Sequence, residues 1–206
     1  MNIICNSCVG GFIYKNELKC SFKNPFIWNI IDFNSMYYMA KNYDQINFEN
    51  YELTKDKNWN FSLIIDGKIK IHYVHYKFDP NAKTIKVDNK TDKEEEWIGD
   101  VYYCKIWEFI YQKYEERTKR MLALNEEPCF LIRDESFANA NSKHSIKDIA
   151  YCNSPYKRII ITTDKSITRN DDICKTIHVD KIEVPLPTIL HNIKTIKEFF
   201  NIGKQC

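Results

Sequence analysis

The sequence contains few residues that interrupt secondary structure, with only 5 glycines and 6 prolines among 206 residues. This scarcity excludes collagen-like and linker-like chains. The chain also lacks an excess of one charge, since 30 basic residues face 28 acidic ones, and we therefore expect no nucleic-acid partner and no acidic tail. No apolar run approaches the roughly 20 residues of a membrane span. No Lys or Arg precedes the apolar residues of the N-terminus, which argues against a secretory signal.

Apolar residues make up 44% of the sequence and aromatic residues 14%, which is enough to form a core and excludes intrinsic disorder. We predict a single domain, residues 1–206, located in the cytoplasm. A reducing cytosol keeps cysteines as free thiols. The cysteines are Cys5, Cys8, Cys20, Cys104, Cys129, Cys152, Cys174 and Cys206.

The N-terminal segment reads as a strand that leads into a helix. The apolar run Met1–Cys5 is followed by Asn6-Ser7, and both of these residue types are preferred helix N-caps. The glycines that follow Cys8, at positions 10 and 11, lower helix propensity and indicate that another group approaches the first turn closely. A second helix is expected around Asn34–Asn42.

The clearest local signal is Asp66-Gly67, the dipeptide that a two-residue type I′ turn requires. It predicts a hairpin between the strands Trp59–Ile65 and Lys68–Tyr76. Successive side chains of a strand point to opposite faces, so His75 shares the apolar face of the second strand while His72 lies with the lysines.

The second half of the sequence alternates helices and strands. Asp79–Glu96 is charged and reads as a solvated loop, and the apolar spacing in Asp100–Leu124 predicts a long helix with Asp100 as its cap. A final helix is expected to bury Ile189, Leu190, Ile193, Ile196, Phe199 and Phe200 and to end at Gly203. Between these helices we expect strands at Cys129–Arg133, Lys157–Thr163 and Thr176–Val179, a polar loop at Asp134–Ser142 and a short helix at Lys143–Tyr151. This order predicts an α/β layered domain with a mixed sheet, parallel in its C-terminal half, and an inserted β-hairpin.

Cys8 is the first candidate for chemistry because it stands where a strand gives way to a helix. The free N–H groups and the positive dipole end of a helix stabilise a thiolate, and they could also hold the oxyanion of an acyl-transfer intermediate. The alternative is an ordinary buried thiol. Cys5-x-x-Cys8 also matches half of a zinc or dithiol redox motif, but no second pair in the sequence completes a zinc site.

A nucleophilic cysteine needs a base, and a rigid hairpin strand would hold His75 in place for that role. His72 is expected at the surface, His144 in a polar loop near a helix start, and His178 and His191 in structural positions. Arg133 and Asp134 end a strand, where ligands bind in open α/β sheets. Arg133 could bind an anionic group of a ligand, or it could pair with Asp134 or Glu135 as part of the scaffold.

Several short motifs occur in an order similar to that of a bacterial family of papain-like cysteine peptidases of unknown function, and to that of a related family associated with exopolysaccharide biosynthesis. The motifs span about residues 2 to 165 and are Asn6-Ser7-Cys8-Val9-Gly10-Gly11, Pro25-Phe26-Ile27-Trp28, Ile71-His72-Tyr73-Val74-His75-Tyr76, the Lys-Tyr-x-x-Arg-x-x-Arg pattern of Lys113–Arg120, and Phe130-Leu131-Ile132-Arg133. The first family usually carries Asp at the place of Ile27. If that Asp orients the histidine, this chain uses another residue or lacks a full triad.

The resemblance implies a papain-like α/β fold with Cys8 as nucleophile and His75 as base. We therefore predict a cysteine-dependent hydrolase or acyltransferase that acts on a small molecule or on a glycan of a surface polysaccharide. No cofactor or metal is assigned, and acyl-CoA is a candidate donor. The candidate substrate-binding residues are Ser7, Gly10, Gly11, Trp28, Arg133 and Asp134. The alternatives are a non-catalytic carbohydrate-binding or scaffold protein and a dithiol redox protein that uses Cys5 and Cys8.

Overall fold

The computed structural model describes residues 1–7, 9–14, 24–27, 29–55, 61–73, 76–79, 84–87, 99–102, 106–139, 141–182 and 185–202. Strands and helices follow one another in the order β1 (Asn2–Cys5), α1 (Val9–Phe12), β2 (Ile30–Ile31), α2 (Phe33–Asn42), β3 (Tyr51–Lys55), β4 (Phe61–Ile65), β5 (Ile69–Tyr73), β6 (Tyr76–Asp79), β7 (Thr84–Val87), β8 (Gly99–Tyr102), α3 (Ile106–Leu124), β9 (Pro128–Arg133), α4 (Ser136–Asn139), α5 (Ile146–Tyr151), β10 (Arg158–Thr162), β11 (Cys174–His178) and α6 (Pro185–Phe200).

A four-stranded parallel sheet has the order β1-β9-β10-β11. Both of its faces are buried, which explains why β10 reads as an uninterrupted apolar run between Arg158 and Thr162. Alternate residues enter two different core clusters. Ile160 packs in the cluster that contains α2 and the antiparallel strands, whereas Ile159 and Ile161 pack in the cluster that contains α6. The α/β class predicted from the sequence is confirmed.

The parallel and antiparallel strands belong to separate sheets, which corrects the expected single mixed sheet. The antiparallel sheet has the order β2-β5-β4-β3, and its edge strand β3 was not predicted. The N-terminal strand β1 pairs with β9, so the parallel sheet draws on both halves of the chain.

The predicted hairpin is β4 and β5. Asp66 and Gly67 have φ of 53° and 63°, the positive values that a type I′ turn requires at both central positions. Ile65 pairs with Ile69, so Lys68 also lies outside the ladder and the loop is one residue longer than predicted. The predicted alternation holds along β5, where Ile69, Ile71 and Tyr73 are buried.

The region from residue 76 to residue 102 differs from the prediction. The expected solvated loop contains β7, which pairs with β6 and β8 in a three-stranded antiparallel sheet. Asp100 pairs with Lys86 inside β8, and α3 begins only at Ile106, so Asp100 is not the cap of that helix. Valine and tyrosine, the residue types at positions 101 and 102, favour strands. Pairing with β7 therefore outweighed the helical spacing of the apolar residues in this segment.

The other predicted helices are present with shifted ends. Asp32 caps α2 through Ser35 N, and Ser145 caps α5. The C-terminal helix α6 ends at Phe200, where Asn201 adopts a φ of 58°, rather than at Gly203, which lies outside the described residues. Leu190 is 54% exposed and does not belong to the buried stripe. Across the described part of the chain, no helix has the length and apolar character needed to cross a bilayer.

Candidate functional site at the carboxyl edge of the parallel sheet

Polar residues follow the carboxyl ends of three neighbouring parallel strands. Asn6 and Ser7 follow β1, the segment from Arg133 to Glu135 closes β9, and Thr162 ends β10. Parallel strands end at the same edge of their sheet, and open α/β sheets bind ligands there. This edge is therefore the candidate site.

The side chain of Asn6 joins the ends of β1 and β9. Its Oδ1 accepts a hydrogen bond from Arg133 N at 2.9 Å, and its Nδ2 donates to Arg133 O at 2.8 Å. Asn6 is fully buried, so both bonds form away from solvent. The amide acts as an extension of the ladder beyond Cys5 and holds the two strand ends in register.

Arg133 and Glu135 form a buried ion pair between guanidinium Nη1 and carboxylate Oε1. Arg133 is 1% exposed and Glu135 is 8% exposed. The pKa of Glu135 is raised because the carboxyl group is buried, and the positive charge of Arg133 partly opposes this rise. The scaffold pairing that the sequence left open for Arg133 is thus present, and its role as a substrate anchor stays a prediction.

Asp134 is held by the neighbouring strand end. Its Oδ2 accepts from Thr162 Oγ1 at 2.8 Å, and its backbone N donates to Ile161 O at 2.9 Å. Thr162 Oγ1 also accepts from Asp164 N at 3.0 Å. These bonds join β9 to β10 at the same edge that Asn6 joins to β1.

Ser7 is 3% exposed, and its Oγ makes no hydrogen bond of normal geometry within the described part of the chain. Gly10 explains the tight first turn of α1, because a Cβ there would lie 3.1 Å from Cys5 Sγ. The group that approaches Gly10 closely is therefore β1 itself. Gly11 is buried in the same short helix. A part in substrate binding stays a prediction for all three residues.

Cys8, His75 and Trp28 lie outside the described residues. The described neighbours of Cys8 are Ser7, after the end of β1, and Val9, the first residue of α1. The predicted change from strand to helix at this point is confirmed for these neighbours.

The described histidines occupy scaffold or surface positions. His144 stacks on Tyr37 with ring centroids 3.8 Å apart, and His72 Nδ1 lies 3.1 Å from Ser62 Oγ of the neighbouring strand. His178 and His191 are exposed, which corrects their expected structural positions. No contact between described residues brings any of these four rings to the hydrogen bonds between Asn6 and Arg133, which we call the Asn6 clamp.

Two of the motifs behind the resemblance are connected in space. Arg117 of α3 is buried and donates from Nη1 to Ile27 O at 3.5 Å. The side chain of Ile27 is 2% exposed and packs in the same apolar cluster as Cys5. The position at which the resembled family carries Asp therefore holds an apolar core residue.

The described cysteines Cys5, Cys129, Cys152 and Cys174 are free thiols. Burial raises the pKa of Cys129 and of Cys174 to about 11 and also raises that of Cys152. These thiols are therefore protonated near neutral pH. Among the described residues no group of three His, Cys, Asp or Glu side chains is arranged to hold a metal ion.

Sequence reasoning missed the role of Asn6, which it interpreted as a helix N-cap, and it left open whether Arg133 pairs with Asp134 or with Glu135. A sign of both Asn6 and Glu135 was present in the sequence, because Asn6 follows β1 and Glu135 follows β9. The sequence did not show that β1 and β9 are neighbouring strands, and it is this pairing that brings their carboxyl ends into one site.

Residues 1–95 match the family model of a domain of unknown function, DUF1919. No curated protein and no solved structure matches the chain. The matched residues include the sequence positions of Cys8 and His75, whereas Arg133 and Glu135 lie beyond them. The similarity to this family therefore covers the β1 side of the candidate site and not the β9 side.

Proposed function

We propose that this protein is a cysteine-dependent acyltransferase or hydrolase with a papain-like arrangement of Cys8 and His75. The observation that carries the proposal is the chain around Cys8. Ser7 follows a parallel strand and Val9 begins a helix at the ligand-binding edge of an α/β sheet. A nucleophile at position 8 is bonded to Ser7, which follows β1 at the edge of the sheet where α/β proteins bind their ligands.

In the proposed reaction, His75 removes the proton of the Cys8 thiol and the thiolate attacks an acyl carbon. The leaving group departs with the proton from His75, and an acyl-enzyme remains on sulfur. Water or a glycan hydroxyl then takes the acyl group, and its proton returns through His75 to the thiol. The acyl donor is an acyl-CoA or another activated ester.

The chain segments near His75 support this pairing. Ile31 N donates to Asn6 O at 3.2 Å, and Ile31 pairs with Ile71 of β5. Neighbouring strands are about 4.8 Å apart, so Asn6 and Ile71 are separated by about 10 Å across β2. Cys8 follows Asn6 by two residues, and His75 follows Ile71 by four. Chain length alone therefore permits the two side chains to meet.

The helix α1 begins at Val9, and Ile13 and Tyr14 continue it as a π-helical turn. The free N–H groups at the start of a helix favour a thiolate, and the imidazole of His75 accepts the proton in the proposed reaction.

Alkylation with iodoacetamide tests the nucleophile. We expect Cys8 to react at roughly pH 6, ahead of the buried thiols, because only a thiolate attacks the reagent. Cys129 and Cys174 serve as internal controls, since their pKa values lie at about 11. Equal labelling of Cys8 and the other cysteines at that pH would remove the basis for the proposal.

Intact mass after incubation with acyl-CoA and activated esters tests the acyl-enzyme. We expect an adduct on the native chain that is absent from Cys8→Ala and diminished in His75→Gln. Cys5→Ser is the matched control, because loss of Cys5 stops dithiol redox chemistry but leaves acyl transfer in place. An adduct that survives Cys8→Ala would refute the assignment.

A non-catalytic carbohydrate-binding or scaffold protein is the second candidate. It is favoured by Ile27, which is buried in an apolar cluster where the resembled family carries Asp. This candidate predicts an ordinary thiol at Cys8 and binding of glycans that Cys8→Ala leaves unchanged. Titration of the native chain and Cys8→Ala with an oligosaccharide panel separates the two candidates.

A further inference from the structure

A cleft of about 610 Å³ lies between the C-terminal end of α6 and the segment that leads into β11, and we call it the α6 cleft. Cavities that bind small molecules have volumes of roughly 300 to 1,000 Å³. The apolar wall of the cleft consists of Ile173 and Phe199, and its polar lining includes Asp172, Lys175, Glu198 and Asn201. The α6 cleft therefore has the size and the mixed lining of a site for a small polar ligand.

The α6 cleft is separate from the candidate site at the carboxyl edge. Lys157, which also lines the cleft, precedes β10, whereas Thr162 ends that strand. A strand rises about 3.3 Å per residue, so these two residues are about 16 Å apart along β10. The cleft lies at the amino end of the parallel sheet, and a ligand bound there needs no group of the Asn6 clamp.

Hydrogen bonds of Asp171 hold one rim of the cleft in place. Its Oδ1 accepts from Ile173 N at 2.9 Å and from Cys174 N at 2.6 Å, and its Oδ2 pairs with Arg169 Nε at 2.7 Å. These bonds fix the backbone of this segment before a ligand arrives. A preformed rim lowers the entropy cost of binding.

Lys157 holds the opposite rim in place. Its Nζ donates to Phe199 O at 3.1 Å and lies 5.4 Å from the centroid of the Phe199 ring. The ammonium group therefore satisfies a carbonyl at the C-terminal end of α6 and fixes the aromatic ring at the cleft. Phe199 is half-buried, so part of its side chain remains open to a ligand.

The charged groups that line the cleft balance one another. The ion pair of Asp171 neutralises its carboxylate, which leaves the ammonium groups of Lys157 and Lys175 and the carboxylates of Asp172 and Glu198. Two positive and two negative groups give the lining no net charge. Such a lining favours neither an anion nor a cation.

Several polar groups of the cleft are available to a ligand. Within the described part of the chain, no hydrogen bond or ion pair occupies the side chains of Asp172 and Lys175, and Glu198 Oε1 lies 4.0 Å from Lys194 Nζ. A hydroxyl group both donates and accepts, so hydroxyls bond equally well to carboxylates and to an ammonium group. A saccharide combines many hydroxyls with an apolar ring face that fits an aromatic wall.

We propose that the α6 cleft binds a neutral saccharide. Asp172 and Glu198 accept hydrogen bonds from its hydroxyl groups, Lys175 donates to them, and the apolar wall packs against the C–H face of the sugar ring. A free amino acid would satisfy one carboxylate and one ammonium group and leave the rest of the cleft unfilled. The inference goes beyond the proposed function, since it requires no chemistry at Cys8.

Titration of the isotope-labelled full chain with maltose, lactose, cellobiose and diacetylchitobiose, followed by NMR, tests the inference. We expect at least one of these disaccharides to shift the backbone amides of residues 170–175 and 198–201. Asp172→Ala and Glu198→Ala should each weaken binding by about tenfold, because each removes a hydrogen bond to a charged group. Asp180→Ala is the matched control, since Asp180 is exposed beyond the other end of β11, and we expect it to leave the Kd unchanged.

Three results would overturn the inference. The first is the absence of shifts with all four disaccharides, and the second is a set of shifts confined to the carboxyl edge of the sheet. The third is a Kd that Asp172→Ala and Glu198→Ala leave unchanged. Free glycine and free serine are titrated in parallel, and their binding in the cleft in place of the sugars would likewise reject a saccharide ligand. If a variant does not fold, the amide shifts of the native chain decide.

The two proposals fail separately. Sugar-induced shifts in the α6 cleft together with no acyl adduct would refute the proposed enzyme and leave the cleft as a saccharide site. An adduct on Cys8 without such shifts would refute the saccharide site and leave the proposed enzyme in place.

Discussion

Asn6 and Arg133 lie 127 residues apart in the sequence, and two hydrogen bonds of 2.8 and 2.9 Å join the side chain of one to the backbone of the other. Both bonds are buried. This contact connects the two halves of the chain at the edge where the candidate site lies.

Replacing Asn6 with Ala should destabilise the protein by about 2 to 4 kcal/mol, because the N–H and C=O of Arg133 lose their partner in a buried position. Chemical denaturation measures the free energy of unfolding. Asn153→Ala is the control, since Asn153 is exposed, and we expect a change within about 0.5 kcal/mol. Equal effects of the two variants would show that the clamp contributes little.

Adding a methyl group at Gly10 should be unfavourable because of Cys5. The new Cβ would lie 3.1 Å from Cys5 Sγ, so β1 and α1 must move apart slightly. We expect Gly10→Ala to cost about 1 kcal/mol, and we expect Cys5→Ala to relieve most of that cost in the double variant. A double-mutant cycle of unfolding free energies measures this coupling, and additive effects would rule out the steric explanation.

Arg158 and Arg169 together satisfy the carbonyl groups at the end of α5. Arg158 is fully buried and bonds to Ala150 O and Cys152 O, and Arg169 Nη1 bonds to the same two oxygens. We expect Arg158→Met to cost about 3 kcal/mol and Arg169→Met about 1 kcal/mol.

The loss in the double variant should exceed the sum of the single losses. Each carbonyl keeps one donor in either single variant and has none in the double variant. Unfolding in guanidinium chloride measures all three. Simple additivity would mean that solvent replaces the missing donors.

The capping box of α5 makes stability depend on pH. Hydrogen bonds from Ser145 N and Oγ lower the pKa of Asp148 below its ordinary value of 3.8. A carboxyl group whose pKa is lower in the folded state stabilises the fold above its unfolded pKa, and this contribution is lost as the pH falls through the folded pKa.

We therefore expect Asp148→Ala to cost about 1 kcal/mol near neutral pH and progressively less in acid below the ordinary pKa. Denaturation curves over a pH series measure this difference. The exposed Asp172 is the control, and Asp172→Ala should give a small difference that does not vary in the same way. A cost for Asp148→Ala that stays constant in acid would contradict the capping explanation.

The sequence analysis was wrong about β7 and β8 because strand pairing, and not the local pattern of residues, decided their conformation. The apolar residues Val101 and Tyr103 fit a helical spacing, but Asp100 and Val101 pair with β7 in a sheet. The segment that contains β7 was read as a solvated loop because of its charged residues, but β7 forms the central strand between β6 and β8. The parallel strands were predicted more reliably, since burial on both faces demands the apolar runs that appear in Cys129–Arg133 and Lys157–Thr163.

The sequence by itself determined the features whose cause lies within a few residues. Asp66-Gly67 adopts positive φ at both positions, Asp32 and Ser145 cap helices, and the isoleucines of β10 are buried. Only the tertiary structure decided that Arg133 pairs with Glu135 and that Asn6 meets Arg133. Parallel strands join distant segments without a turn between them, so no local pattern of residues records which strand ends will lie side by side.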